Sequence, residues 1–487
     1  MKKLFSVFCL CALACVALLI VLQTGCKSAN SDEVPITTTS EEARKLFIQG
    51  REMAEAQHPQ EANELFNQAI EKDPEFALAY LFKAGSASDA KEFKEARAKA
   101  ISLASKASEG ERKIIAAHQA YYDENNVVKT NQIYQELAGQ FPNDKRVQWY
   151  LGGSYANLRE YDKEIAAYER VLAIDKRFAP AYQALGYTYR WRNQYEKAEG
   201  YFKEYLRLIP QEANGHDNLA DLYRKMGKFG EALEHYNEAV KMDPSFRSSE
   251  YKAGTTLFFM GKFEEGRQAL QKLMDMEAKP ANKLYDLMAI VRGYIYEGDY
   301  AEALEATDKA LQMSRDLGLP EQTAFNHWVK LSLHFELNDW DKADASLADR
   351  IKVAETANLT PAYRENVQAS NSFWQAMVAV GRKDFAAAQA IAAEFKAKVE
   401  AVKNPTWKKY PVWLLGHIAL AQGDAGKAVE YFGQGEMDDP WTMYFFALAK
   451  EKAGDTAGAA DLYKKIANWN LDDTPYAFVR QKAAAKM

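Results

Sequence analysis

Residues 227–244 read GKFGEALEHYNEAVKMDP. The stretch opens on Gly227 and closes on Pro244, and one amphipathic helix fits between them, with alanine at 232 and 239. A single helix of this kind has no fold of its own. Whether it recurs decides what the chain is.

It recurs at a fixed period. Gly152-Gly153-Ser154-Tyr155, Gly186-Tyr187-Thr188-Tyr189 and Ala220-Asp221-Leu222-Tyr223 stand 34 residues apart. Gly50, Ala84, His118, Gly152, Gly186, Ala220 and Gly254 mark the same point of seven successive units. Val291, Leu331, Ala376, Gly416 and Ala447 continue the series at steps of 37, 40, 45, 40 and 31, which makes about twelve units. Twelve residues past the marker stand Ala62, Ala96, Ala198, Ala232, Ala303, Ala343, Ala388, Ala428 and Ala459. Two helices approach closely only where a small side chain lets their backbones meet. Three residues earlier, Phe93, Tyr161, Tyr195, Phe229, Phe263, Tyr300, Trp340 and Phe385 supply an aromatic ring for the hollow beside that contact. Before it come Gly227, Gly261, Gly298, Gly423 and Gly454, or Asn125, Asn193 and Asn338, residues that accept the left-handed backbone ending a helix. Pro74, Pro142, Pro210, Pro244 and Pro440 are expected to stop the second helix of their units. Each unit therefore reads as two helices.

This pattern resembles the tetratricopeptide repeat over roughly residues 41–473, most specifically over 145–277. The resemblance implies an all-α fold: a right-handed superhelical solenoid of about twelve helix-turn-helix units, each burying its apolar face against its neighbours. The spacing divides it into a regular array, 41–279, and a less regular one, 280–473. Residues 474–487 (TPYAFVRQKAAAKM) read as a capping helix, with Thr474 as its cap and Pro475 at the first helical position.

The N-terminus reads as a processing segment. Lys2 and Lys3 precede an uncharged apolar run, 4–22, followed by QTGC ending at Cys26. Residues 1–25 resemble a bacterial lipoprotein signal, which implies lipidation of Cys26; Thr24 and Gly25 fit that pattern and Gln23 departs from it. A plain secretory signal and an uncleaved membrane helix are the alternatives. The four cysteines are Cys9, Cys11, Cys15 and Cys26, so the body beyond residue 26 has no thiol. Residues 26–40 are then the lipidated cysteine and a flexible tether. Lys27 after the cysteine implies the outer membrane of a bacterial envelope.

No catalytic or metal-binding motif appears. The sequence lacks HExxH, GxSxG, a phosphate loop and a GxGxxG, and no cofactor is expected. His327 and His334 stand seven apart, too far for close chelation. Acidic pairs such as Asp438-Asp439 and Asp472-Asp473 fall at helix starts, where they suit the helix dipole. The net charge of −6, with both signs interspersed, gives no electrostatic case for nucleic acid.

The resemblance implies that the first helix of each unit lines a concave groove for a protein or peptide partner. Carried onto this chain, the groove offers Trp149, Tyr187, Arg190, Trp191, Asp217, Asn218, Asp221, Arg224, Tyr251, Lys252 and Phe258. Some relatives clamp a C-terminal carboxylate with Lys, Asn and Arg. Here only Asn218 and Lys252 match, with Gln183 and Tyr187 in other clamp places. The expected function is a membrane-anchored scaffold for protein–protein interaction, not an enzyme. The alternative is a lipoprotein that captures a glycan or peptide.

Overall fold

The computed structural model describes residues 32–401, 405–435 and 437–487. The signal expected over 1–25 and the lipidation of Cys26 lie outside the described residues. The described residues form 25 α-helices and two short 3-10 turns, with no strand among them. They divide into two compact units, one ending at Gly215 and one beginning at His216.

The first unit carries α1 (Glu41–Glu55), α2 (Pro59–Lys72), α3 (Ala77–Gly85), α4 (Ala90–Leu103), α5 (Glu109–Tyr122), α6 (Val127–Gln140), α7 (Lys145–Asn157), α8 (Tyr161–Ile174), α9 (Ala179–Trp191) and α10 (Tyr195–Leu208). The boundary falls within α11 (Ala213–Lys225). The second unit continues with α12 (Phe229–Met242), α13 (Arg247–Phe259), α14 (Phe263–Met276), α15 (Pro280–Glu297), α16 (Tyr300–Asp316), α17 (Pro320–Glu336) and α18 (Trp340–Thr356). It ends with α19 (Pro361–Gly381), α20 (Phe385–Ala401), α21 (Tyr410–Gln422), α22 (Ala425–Phe432), α23 (Pro440–Lys452), α24 (Thr456–Ala467) and α25 (Thr474–Ala484). Odd-numbered helices up to α23 open a pair and even-numbered ones close it, so the chain is a helical solenoid of helix-turn-helix repeats. From Pro280 to Ala401 the helices lengthen to between 17 and 21 residues.

The pairs interlock through the marker position. A Cβ on Gly152 would lie 2.4 Å from the Tyr168 ring, and one on Gly186 2.4 Å from the Phe202 ring. Gly50 and Phe66, and Gly416 and Phe432, repeat the contact at 2.8 Å. A ring of the second helix thus rests on bare backbone of the first, which brings the two axes close. The nine alanines at the small position are all buried. Gly227, Gly261, Gly298, Gly423, Gly454, Asn125, Asn193 and Asn338 all turn the chain at positive φ, and Gln57, Arg159 and Lys383 do the same. In later pairs the residue after that turn caps the second helix: Asp299, Asp339, Asp424 and Asp455 each accept a backbone N–H three residues on. Pro440 does not stop a second helix. It is the first residue of α23, behind the capping Asp439, where its missing N–H costs nothing.

Both ends of the described chain differ from expectation. Residues 34–40, read as part of a free tether, are bonded to the first unit. Val34 N–H donates to Asp144 Oδ2 (2.9 Å), Thr37 N–H to Glu111 Oε1 (2.8 Å) and Thr39 N–H to Asp73 Oδ2 (3.0 Å). Thr38 Oγ1 also donates to Asp73 at 2.5 Å. The three carboxylates sit where one pair hands over to the next, and Glu111 is fully buried.

The C-terminal helix α25 is not a polar end cap. Tyr476, Ala477, Phe478, Val479 and Ala483 are buried, and the helix packs on α15, α23 and α24. Its cap is Asp473, not Thr474: Asp473 Oδ1 accepts the Tyr476 N–H at 2.7 Å. Arg480 donates to the Phe259 carbonyl (2.9 Å), and Lys482 pairs with Glu336. Ahead of the helix, Lys225 donates to the Trp469 carbonyl (2.6 Å), and Asp472 pairs bidentately with Arg292 (2.8 and 3.1 Å). Residues 469–482 thereby touch α11, α13, α15 and α17, all first helices. The first-helix face of the second unit is filled by the chain's own C-terminal segment.

Burial pushes the Asp473 carboxyl up to about 6, and the charges of Asp472 and Asp439 add to this against the hydrogen bonds from Tyr476 and Trp469. The folded form therefore holds this proton more tightly than the ordinary value of 3.8 allows. Its contribution to stability is full below the ordinary value and is lost as pH rises through about 6. Asp473→Asn keeps an acceptor at the cap. It is expected to flatten the change in urea midpoint of the second unit between about pH 4.5 and about pH 7.5. An unchanged pH profile would assign that dependence to other groups.

Candidate functional site

The expected groove residues fall in different surroundings. In the second unit, Asp217, Asp221, Arg224, Tyr251 and Lys252 belong to a closed polar network, with Asn218 buried beside it. Lys252 Nζ donates to Asp217 Oδ2 (2.8 Å) and Asp221 Oδ2 (3.0 Å), Ser249 donates to Asp217 (2.7 Å), and Tyr236 OH donates to Asp221 Oδ1 (2.5 Å). Burial works against ionisation of Asp221, but Lys252 and Arg224 outweigh it and hold the carboxyl below its ordinary value. Asn218 is 1% exposed, and Tyr251 OH accepts from Arg292 beside Asp472. These side chains hold the repeat and seat the C-terminal segment, so they offer no open groove and no carboxylate clamp. Phe258 is fully buried with its ring against Gly266 and Gly293, on the core side of its helix. The expectation of an exposed groove is corrected for this set: internal partners take up the polar groups before a ligand can.

The first unit is different. Trp149, Tyr187, Arg190 and Trp191 lie on its first helices α7 and α9. Trp191 is 68% exposed. The Arg190 guanidinium lies 4.9 Å from the centre of the Tyr187 ring and 5.6 Å from that of Trp191, a cationic contact that steadies all three. Tyr187 in turn meets Phe202 edge-on at 5.2 Å.

Two cavities adjoin these residues. One, of about 270 Å³, is lined by Trp149 and Tyr150 of α7, Tyr121 and Tyr122 of α5, and Tyr168 of α8. Trp149 Nε1 is buried there without an acceptor. Burial, with Arg97 adding to it, pushes His118 of this cavity down to about 4, so its ring is uncharged at neutral pH. Burial also raises the Tyr134 and Tyr150 hydroxyls, which stay protonated. The second cavity, of about 510 Å³, shares Tyr168 and continues past Ala156 and Glu164 to Tyr187 and Trp191. Burial raises the Glu164 carboxyl, against a 2.5 Å hydrogen bond donated by Thr188. Between them the two cavities offer aromatic rings, neutral hydroxyl donors and one unsatisfied indole N–H. Tyr121, Tyr122 and Tyr150 were not singled out in the sequence. The signal for Tyr122 is its place four residues past the His118 marker, where Arg190 stands past Gly186.

His327 and His334 are both buried, and burial, ahead of the surrounding charges, pushes His327 down to about 4. No cluster of three or more His, Cys, Asp or Glu able to hold a metal gathers among the described residues. No helix among them is long and apolar enough to cross a membrane.

Residues 178–245 match one tetratricopeptide repeat family, and residues 49–111 and 131–180 match another. The matched stretches belong to the tetratricopeptide repeat family. Such repeats make a protein–protein interaction scaffold, and proteins built from them are in general not catalysts. No curated protein matches the chain in sequence. Among solved structures, one of MamA is 19% identical, spanning 36% of this chain and 98% of its own, with a TM-score of 0.31. One of YrrB, described as a TPR protein with an unusual peptide-binding site, is 19% identical over 38% and 93% of the two chains, with a TM-score of 0.30. A tetratricopeptide repeat protein from Parabacteroides merdae is 15% identical over 59% and 99%, with a TM-score of 0.35.

Proposed function

We propose that this chain is a lipid-anchored scaffold of a bacterial envelope, holding an extended segment of a partner protein along the first-helix face of its first unit. The observation that carries the reading is the pair of adjoining aromatic cavities there, ending at the exposed Trp191. Tryptophan, tyrosine and arginine set side by side suit a binding hot spot. An extended segment supplies what these cavities lack, since a backbone carbonyl accepts from the Trp149 indole and apolar side chains cover the rings. The anchor rests on Lys2, Lys3, the apolar run 4–22 and Cys26, and Lys27 favours the outer membrane.

A photo-crosslinking residue placed at 191 in the full chain tests both parts. Adducts to one protein are expected from position 191 and not from Gly200, which is exposed on the second helix α10. Trp149→Ala should lower their yield at least about threefold, as loss of a buried aromatic anchor does. Cys26→Ala should move protein and adduct together from the membrane fraction to the soluble one. Equal adducts at 191 and 200 would reject the groove, and unchanged fractionation would reject the anchor. Stabilisation of the purified chain by oligosaccharides, with no protein adduct, would turn the reading to glycan capture.

A further inference from the structure

We propose that the second unit binds a small organic cation, an alkylammonium, in an aromatic cavity closed by the C-terminal helix. The cavity, of about 150 Å³, is lined by eight aromatic side chains. They include Trp328 and Phe335 of α17, Phe373 and Trp374 of α19, Trp441 of α23 and Phe478 of α25. The rings stand around the space at steep angles: Phe335 meets Trp374 at 79° and 5.5 Å, and Trp374 meets Trp441 at 47° and 5.5 Å. Several aromatic faces around one site attract a cation through their negative quadrupoles.

The polar lining selects the same ligand. It holds two carboxylates, Asp439 and Glu336, and no lysine, arginine or histidine. Glu336 is engaged by Lys482, whereas no ion pair engages Asp439 among the described residues. Asp439 Oδ2 caps α23 by accepting the Thr442 N–H at 2.7 Å. Burial, opposed by Thr442 and aided by Asp438, raises the Asp439 carboxyl, a cost that a bound cation relieves. A sugar would need donors as well as acceptors. The hydroxyl donors here are few, and of the four indole N–H groups that of Trp407 is already given to Asn366 (2.9 Å). An anion would meet two carboxylates at close quarters.

The test titrates the full chain with tetramethylammonium and with choline, read by calorimetry and by tryptophan fluorescence. Four of the chain's nine tryptophans, Trp328, Trp374, Trp407 and Trp441, line the cavity. The control is 3,3-dimethylbutan-1-ol, the uncharged carbon counterpart of choline. Saturable binding of choline is expected, at least about tenfold tighter than that of the alcohol. Asp439→Asn, which keeps a capping acceptor, should weaken choline about tenfold with the circular dichroism unchanged. Equal affinity for choline and the alcohol would overturn the proposal, as would no saturable signal, or binding of oligosaccharide in place of choline. The wild-type comparison decides even where the variant does not fold.

Discussion

Arg292→Met is expected to release the C-terminal segment and to destabilise the second unit by about 3–5 kcal/mol. Arg292 and Asp472 are both nearly buried, at 10% and 7% side-chain exposure. Burial opposes the charge of Arg292, but Asp472 and Tyr251 outweigh it, and its guanidinium stays charged. Removing one partner leaves a carboxylate in a site that water scarcely reaches, and that penalty exceeds the net worth of the pair. The double variant Arg292→Met, Asp472→Leu should therefore recover much of the loss. Chemical denaturation followed by tryptophan fluorescence measures the first effect, and proteolysis between Ala467 and Thr474 measures the release. Were the single variant to unfold and cleave like the wild type, the ion pair would not be what seats the segment.

Gly186→Ala should destabilise the first unit by about 1–3 kcal/mol, although alanine is the better helix former. The new Cβ would lie 2.4 Å from Cε1 and 2.5 Å from Cδ1 of Phe202, a fully buried ring that Tyr187 meets edge-on. Gly200→Ala gives the matched comparison. It lies in the next helix with nothing within 4 Å of its would-be Cβ, so the same change should stabilise by about 0.5–1 kcal/mol. Thermal unfolding of the two variants should thus move in opposite directions. Phe202→Leu should rescue Gly186→Ala in part, because the chain already sets Leu270 against Gly254 with the would-be Cβ at 3.1 Å. A harmless Gly186→Ala would mean that the two helices are free to part.

These contacts explain why the repeat could be read so far from the sequence. A small residue, a ring and a left-handed turn are local requirements, and each leaves its mark at a fixed spacing. Hence Ala232 is buried and Gly227 turns at φ 77°. Arg159 and Lys383 adopt the same turn at φ 58° and 62° but leave no such mark, because their side chains do not favour it. What fills a face is not local. Asp472 meets Arg292 across 180 residues, and Val34 meets Asp144 across 110. Nothing in TPYAFVRQKAAAKM distinguishes a helix laid on first helices from one that caps an end. Of the expected site residues, Trp149, Tyr187 and Trp191 border cavities because no other described segment of their unit covers them. Asp217 and Lys252, at comparable register, are spent on each other.

The bonded segment at the N-terminus sets a leash. Val34 stands eight positions past Cys26, a span of about 30 Å at most when fully extended. If Cys26 is the anchor proposed above, the surface that holds it stays within that radius of the Asp144 edge of the first unit, to which Val34 is bonded. Had 34–40 hung free, the reach would have grown by about 20 Å. On that proposal the three carboxylates that grip this stretch also limit how far from its point of attachment the first unit can work, and cutting that grip would lengthen its range without touching its repeats.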